Sequence, residues 1–291
     1  MVVNPVLRVR DRAFGPEARL VMAIVNRTPD SFYDGGATFE LAAACARVDE
    51  VVAQGADIVD IGGVKAGVGP EVTPSEEIER VADVVAYARR VHPEVLISVD
   101  TWRAAVADAV CAAGADIIND PWGGPDPLLP EVAARHGATL VVAHAGGMAP
   151  REDPHGVTFD DVVADVLTVT EGLAARAEAA GVERARIVID PAHDFGKTTA
   201  HSLQITRRIG ELVATGRPVL VAMSRKDFIG ETLDLPTDER LFGTLAATAL
   251  CAAQGVMIHR AHDVAATRHA LDMVSTITGD RPPAKALRGL T

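Results

Sequence analysis

The sequence predicts a single (β/α)8 barrel, and three observations predict it. A short β-rich run follows a glycine six times, at Gly55, Gly114, Gly137, Gly181, Gly216 and Gly255. These runs are continuously apolar and end in polar residues, as parallel strands covered on both faces do. Stretches of helical period lie between them, and no linker or low-complexity segment divides the 291 residues.

Taken in order, residues 1–18 precede the first strand and are expected to cover the lower end of the barrel. The first strand is Leu20–Val25. It breaks at Asn26 into Arg27-Thr28-Pro29-Asp30-Ser31-Phe32-Tyr33-Asp34-Gly35-Gly36, polar and aromatic without regular period. Such a loop after a buried strand suits ligand covering, although its Asp and Ser also suit capping of the next helix. That helix is expected at 39–54, followed by a strand within Gly55 to Gly63. Thr73-Pro74-Ser75-Glu76 has the capping-box spacing with Pro at the first helical position, and Ile78, Val81, Val85 and Ala88 mark the buried face of the helix it starts. The third strand is Val95–Val99. Helices at about 103–113, 126–136, 159–180, 200–215, 238–254 and 263–278 alternate with strands ending at Asn119, His144, Asp190, Ser224 and Arg260. The glycine before six of these strands is the usual residue at the left-handed position closing a helix. A doubly wound open sheet is the alternative, but no Gly-x-Gly-x-x-Gly follows the first strand. The barrel is expected over 19–280, with an exposed tail over 281–291.

Composition narrows the function classes. An apolar share of 48% with 23% charged residues suits one large core. The apolar runs are too short to span a bilayer, and no basic segment with an apolar h-region opens the chain. A net charge of −12 argues against nucleic acid as a partner, though not against small anions in a locally basic pocket. Cys45, Cys111 and Cys251 form no Cys-x-x-Cys pair, which suits reduced thiols and a cytoplasmic location.

In such barrels the site lies at the C-terminal ends of the strands. These ends carry Asn26, Asp60, Asp100, Asn119, His144, Asp190, Ser224 with Arg225 and Lys226, and Arg260 with His262. A ring of polar side chains converging on one mouth marks a pocket. His-Glu-x-x-His and Gly-x-Ser-x-Gly are absent, and Gly196-Lys197-Thr198 lacks the upstream glycine of a phosphate loop because position 191 is Pro. His144, His193 and His262 lie on three different strand ends without zinc-site spacing.

These motifs together resemble the dihydropteroate synthase family along nearly the whole chain. The resemblance rests on Asn26-Arg27-Thr28-Pro29-Asp30-Ser31-Phe32, Gly55 to Gly63, Ser98-Val99-Asp100-Thr101, Gly114 to Asp120, Asp190-Pro191, Phe195-Gly196-Lys197, Ser224-Arg225-Lys226 and Arg260 to Val264. Each piece is moderately specific; their order is very specific. The family joins p-aminobenzoate to a dihydropterin-methyl diphosphate in folate biosynthesis and releases diphosphate. The resemblance assigns Asp100, Asn119, Asp190 and Lys226 to the pterin, whose amino-pyrimidinone edge presents paired donors. It assigns Asn26, Arg260 and His262 to the leaving diphosphate, with Mg²⁺ held through Asn26. Phe32, Phe195 and Ser224 fall on the second-substrate side. The family is typically homodimeric through the later helices.

The chain departs from the family in specific places. Where the family usually reads Gly-Gly-Glu-Ser-Thr-Arg-Pro-Gly, Gly63 is followed by Val64-Lys65-Ala66-Gly67-Val68-Gly69. The family's Asp-Pro-Gly-x-Gly-Phe is Asp190-Pro191-Ala192-His193-Asp194-Phe195, and Arg27, Ala222 and Asp227 replace other usual residues. Asp194 and Asp227 are expected near the position of the benzoate carboxylate. Two unit charges at ~4 Å repel by roughly 1–4 kcal/mol, depending on the dielectric. Lys65 and Arg27, with Thr28 and Asp30 beside it, add positive charge and polarity to the covering loops. The resulting expectation is a diverged paralogue that keeps the pterin and diphosphate pocket while synthase activity is weak or lost. The alternatives are a competent synthase with different loops, a pterin-dependent methyltransferase barrel feeding a corrinoid partner, and a non-catalytic binding protein. The methyltransferase has no need of Arg260 and His262.

Overall fold

The computed structural model describes residues 5–28, 38–152 and 157–288. Asp30 and Phe32 lie outside the described residues. A hairpin of β1 (Leu7–Val9) and β2 (Arg12–Phe14) precedes the barrel. The barrel strands are β3 (Leu20–Asn26), β4 (Ile58–Gly62), β5 (Leu96–Asp100), β6 (Ile117–Asp120), β7 (Thr139–Ala143), β8 (Ile187–Asp190), β9 (Leu220–Ala222) and β10 (Ile258–Ala261). Between and after them run α1 (Leu41–Ala53), α2 (Pro74–Val91), α3 (Ala104–Ala113), α4 (Leu129–His136), α5 (Val162–Ala179), α6 (Thr199–Arg207), α7 (Ile209–Val213), α8 (Asp227–Leu233), α9 (Leu241–Ala253) and α10 (Val264–Thr278).

All barrel pairings are parallel, in the order β8-β7-β6-β5-β4-β3-β10-β9. A bridge between Ile189 and Val219 joins β8 to β9 and closes the ring. The sheet is therefore the expected (β/α)8 barrel.

The strand runs look uniformly apolar in sequence, yet the barrel sorts them with period two. Val59, Ile61, Ile97, Val99, Ile118 and Leu140 pack outward under the helices. Met22, Ile58, Leu96, Ile117, Val141, Val188, Leu220 and Ile258 point inward and fill the lower barrel. Leu7 and Val9 of the hairpin, both fully buried, plug that cluster from below, while Thr139 donates to the Arg8 carbonyl at 2.7 Å.

The Thr73 cap forms as its spacing predicts. The Thr73 N–H donates to Glu76 Oε2 at 2.7 Å and the Glu76 N–H to Thr73 Oγ1 at 3.3 Å. The helix expected at 200–215 is divided at Arg208, whose guanidinium grips Asp161 and Glu211, giving α6 and α7. The helix expected from 238 starts at Leu241, and α8 had no sequence signal: it has seven residues and contains Gly230. Residues 281–288 are exposed.

Candidate functional site

One register step above the apolar layer, the inward positions turn polar: Asp60 on β4, Ser98 on β5, Asn119 on β6, Asp190 on β8 and Arg260 on β10. These side chains lie inside a closed barrel, so their charges must be paired. Asp60 is fully buried and collects most of them. It accepts from Ser98 Oγ at 2.6 Å, Asn119 Nδ2 at 3.2 Å and Arg260 Nε at 2.6 Å. Arg260 Nη2 also donates to Asp100 Oδ2 at 3.0 Å. Asp60 was legible only as one strand-end residue among several; its hub role comes from partners 38, 59 and 200 positions away.

Asp100 stands at the end of β5, facing the open mouth. Burial pushes its carboxyl up to about 7, against the pull of Arg260, and Asp60 adds to the rise. Asp190 is likewise raised by burial, with its Oδ1 accepting the Ala192 N–H at 2.7 Å. Lys226 is lowered by burial, opposed by Asp194 and Asp190. Its Nζ donates to the His193 carbonyl and sits 4.7 Å from the centroid of the Phe195 ring.

The loop after β8 keeps a glycine-like backbone without the glycines. Ala192 and Asp194 hold φ of +48° and +69°, a region that costs a residue with a Cβ about 1–2 kcal/mol. Asp194 offsets part of this by accepting from Ser202 Oγ at 2.9 Å and from the Phe228 N–H at 3.2 Å. His193 stacks on Phe228 at 5.5 Å, and Lys197 Nζ donates to the carbonyls of His144, Ala192 and Phe195 at 2.7, 3.1 and 2.8 Å. Asp194 is thus fastened to the start of α8 as well as lining the pocket. Asp227, expected to repel a carboxylate, is paired with Arg240 at 2.8 Å.

Ser224 braces His262: its Oγ accepts the His262 N–H at 3.2 Å and lies 3.1 Å from Nδ1. Burial, followed by the nearby Arg260 charge, lowers His262 to about 3, so its imidazole is neutral at pH 7. Asn26 ends β3 with Oδ1 only 3.0 Å from where a Cβ on residue 62 would stand, so Gly62 admits it.

A cavity of about 380 Å³ fills the mouth. Asn26, Asp100, Ser224, Lys226, Arg260 and His262 form its floor, with Thr28 beside them. Asn119 and Asp190 are buried next to this floor. Phe195 and Trp122, edge to face at 5.2 Å, form one wall; Trp122 follows Asp120 and was not singled out by sequence. Val64 to Val68, with Met148 and Glu152, form the roof, which includes Lys65. Arg27 departs from expectation. Its guanidinium donates to the carbonyls of Phe39, Glu79 and Arg80 at 2.8, 3.1 and 2.9 Å, so its charge serves the helix layer. A second cleft of about 680 Å³, lined from α1 and α10, shares Ile24, Asn26 and His262 with the first.

Among the described residues, no group of three His, Cys, Asp or Glu side chains could hold a metal ion. No helix among them is long and apolar enough to cross a membrane.

Residues 22–262 match the family model described as "Pterin binding enzyme". The chain is 56% identical over 283 residues to "Inactive dihydropteroate synthase 2" of Mycobacterium tuberculosis, covering 96% of this chain and 89% of that one. It is 53% identical to the protein of the same description in Mycobacterium leprae, covering 96% of this chain and 97% of that one. Among solved structures it is similar to the Yersinia pestis dihydropteroate synthase with a sulfonamide drug complex, with a TM-score of 0.89 and 34% identity over 95% of this chain and 100% of that one.

Proposed function

The chain belongs to the dihydropteroate synthase family of pterin-binding enzymes, and on that premise we propose that it binds a dihydropterin diphosphate without condensing it efficiently with p-aminobenzoate. The observation that carries this is the contrast within one cavity between a polar floor that keeps Asn26, Asp100, Lys226, Arg260 and His262 and a substituted roof. Asp100 and Asp190 accept the paired donors of the pterin's amino-pyrimidinone edge, Asn119 fixes that edge through its tie to Asp60, and Lys226 donates to the carbonyl side. Arg260 is also bonded to Asp60 at 2.6 Å, which anchors its guanidinium while Asp100 takes the ligand.

Asn26, Arg260 and the neutral His262 hold the diphosphate. The start of α10 supports this placement, because Val264, Ala265 and Ala266 line the shared cleft where first-turn amides attract anions. The donor set fits Mg²⁺ as a substrate-borne ion: Asn26 would hold it through its side-chain oxygen, together with oxygens of the diphosphate. When bound, such an ion would supply neutralisation of the charge that develops on the leaving group, beside Arg260.

Condensation needs more than this floor. Closing loops position substrates and exclude water, and the roof lacks the family's Thr-Arg-Pro. Asp194 places a carboxylate on the wall shared with Phe195, the side assigned to the arylamine. Inactivity in the named relatives of Mycobacterium tuberculosis and Mycobacterium leprae supports the same conclusion.

The protein is further proposed to pair with a second copy through α9 and α10, where Phe242, Leu250, Met273 and Ile277 are exposed. Cys45, Cys111 and Cys251 are unbridged, which supports a cytoplasmic location. Titration calorimetry with pterin diphosphate and with p-aminobenzoate, each alone, tests the binding claim. Heat with the pterin and none with the benzoate is expected; heat with neither overturns the pocket assignment.

A further inference from the structure

We infer that Arg151 is a positioning residue that clasps the roof loop across the mouth and sets how fast a bound pterin leaves. The inference rests on the proposal that the cavity takes a pterin.

Arg151 lies on the loop after β7, and the roof loop follows β4; β5 and β6 stand between these strands in the sheet. The Arg151 guanidinium crosses that interval. Its Nε donates to the Gly67 carbonyl at 3.1 Å and its Nη1 to the Pro70 carbonyl at 2.7 Å. The two carbonyls lie on the same short segment, so one planar fork fixes both its position and its tilt. Arg151 holds φ of +69°, a backbone state that a residue with a Cβ keeps only when its surroundings hold it there.

The clasp pulls on something rigid. At its root, the β7 loop is fastened by Lys197 Nζ donating to the His144 carbonyl at 2.7 Å. It also presses on the β8 loop, where a Cβ on Gly196 would stand 2.7 Å from the Ala145 carbonyl oxygen. The roof loop is held at its own root by Arg80 Nη1, which donates to the Gly63 carbonyl at 3.0 Å. Both loops contribute to the cavity, Val64 to Val68 from one and Met148 with Glu152 from the other. Closing them together covers whatever lies on the floor. Nothing in the sequence flags this role, because an arginine in a polar loop has no periodicity or motif to mark it.

The test uses the full chain with Arg151→Ala and Arg151→Gln, neither of which adds a lysine. Lys-C cleaves after lysine, and the chain has only Lys65, Lys197, Lys226 and Lys285. Lys65 reports the roof, while buried Lys197 reports global unfolding in the same digest. Loss of two hydrogen bonds predicts cleavage after Lys65 about ten-fold faster in Arg151→Ala, at an unchanged rate after Lys197. Stopped-flow displacement of a fluorescent pterin should show dissociation faster by several-fold to about ten-fold. Arg151→Gln keeps one amide donor but cannot grip both carbonyls, so it should fall between, and it decides the matter should the alanine variant lose its fold. Unchanged Lys65 cleavage in a folded variant overturns the clasp. Faster cleavage with unchanged dissociation overturns its control of ligand exit. Failure of the unaltered protein to bind the pterin overturns the proposed function instead, and the Lys65 digest still decides the clasp.

Discussion

Arg260 reaches the pocket from a strand position that the barrel register points inward, and the buried Asp60 beneath it accepts side-chain hydrogen bonds from both Arg260 and Asn119. Val64 to Val68 reach the same pocket from a loop that Arg151 holds by its backbone carbonyls. In the floor, the identity of each side chain is part of the support, because removing one partner leaves a buried charge or donor unpaired. In the roof, the bonds fall on carbonyls that every residue carries, so the side chains are free to change. A barrel can therefore keep its recognition surface while the loops that complete the chemistry diverge.

The largest expected effect lies at the centre of the floor. Asp60→Ala takes the shared acceptor from three donors, Ser98, Asn119 and Arg260, and leaves the Arg260 guanidinium with Asp100. Urea unfolding should show a loss of about 3–5 kcal/mol, together with loss of pterin binding. A loss below about 1 kcal/mol would mean that the floor is as tolerant as the roof.

Asp100→Asn should act on binding and spare the fold. Replacing a charge-assisted acceptor predicts about 10- to 100-fold weaker pterin affinity by calorimetry. The pH profile carries a sharper signature. Asp100 accepts ligand N–H groups best as a carboxylate, and its pKa is raised to about 7, so affinity should climb as pH rises from about 6 to about 8. The stability trend runs the other way. A carboxyl raised in the folded state binds its proton more tightly there than in the unfolded chain, where it titrates near about 4. Its contribution to stability therefore falls as pH rises from about 4 to about 7, and Asp100→Asn should flatten both trends.

A smaller effect is expected beside the floor, at the loop after β8. Ala192→Gly relieves a left-handed backbone at φ +48° and should raise stability by about 1 kcal/mol in thermal unfolding, with pterin affinity unchanged. Destabilisation there would mean that the Ala192 methyl group supplies packing that outweighs its strain.

The barrel was legible because its signals are local. A glycine precedes six of the eight strands, an apolar run follows, and polar residues end the run; these features need only a few neighbouring positions. The strand ends were legible as a ring for the same reason. What escaped the sequence was pairing over distance. The link between Asp60 and Arg260 spans 200 positions, and Arg151 meets Gly67 across 84. Arg27 was expected to charge the mouth, but its orientation was set by carbonyls at Glu79 and Arg80 that only the packing of α2 brings near. Asp194 and Asp227 were expected to repel an incoming carboxylate. Both have partners, which lowers their field without removing Asp194 from the pocket wall.

The central claim is that the floor suffices for binding and the roof decides turnover. Diphosphate release tests it most directly, measured with dihydropterin-methyl diphosphate and Mg²⁺, with and without p-aminobenzoate, beside a competent family member. The chain as it stands should release little diphosphate under either condition, and replacing residues 64–68 by Glu-Ser-Thr-Arg-Pro should raise the p-aminobenzoate-dependent rate. Release by the unaltered chain at the rate of the competent enzyme, or no gain from the replacement in a chain that still binds the pterin, would contradict it.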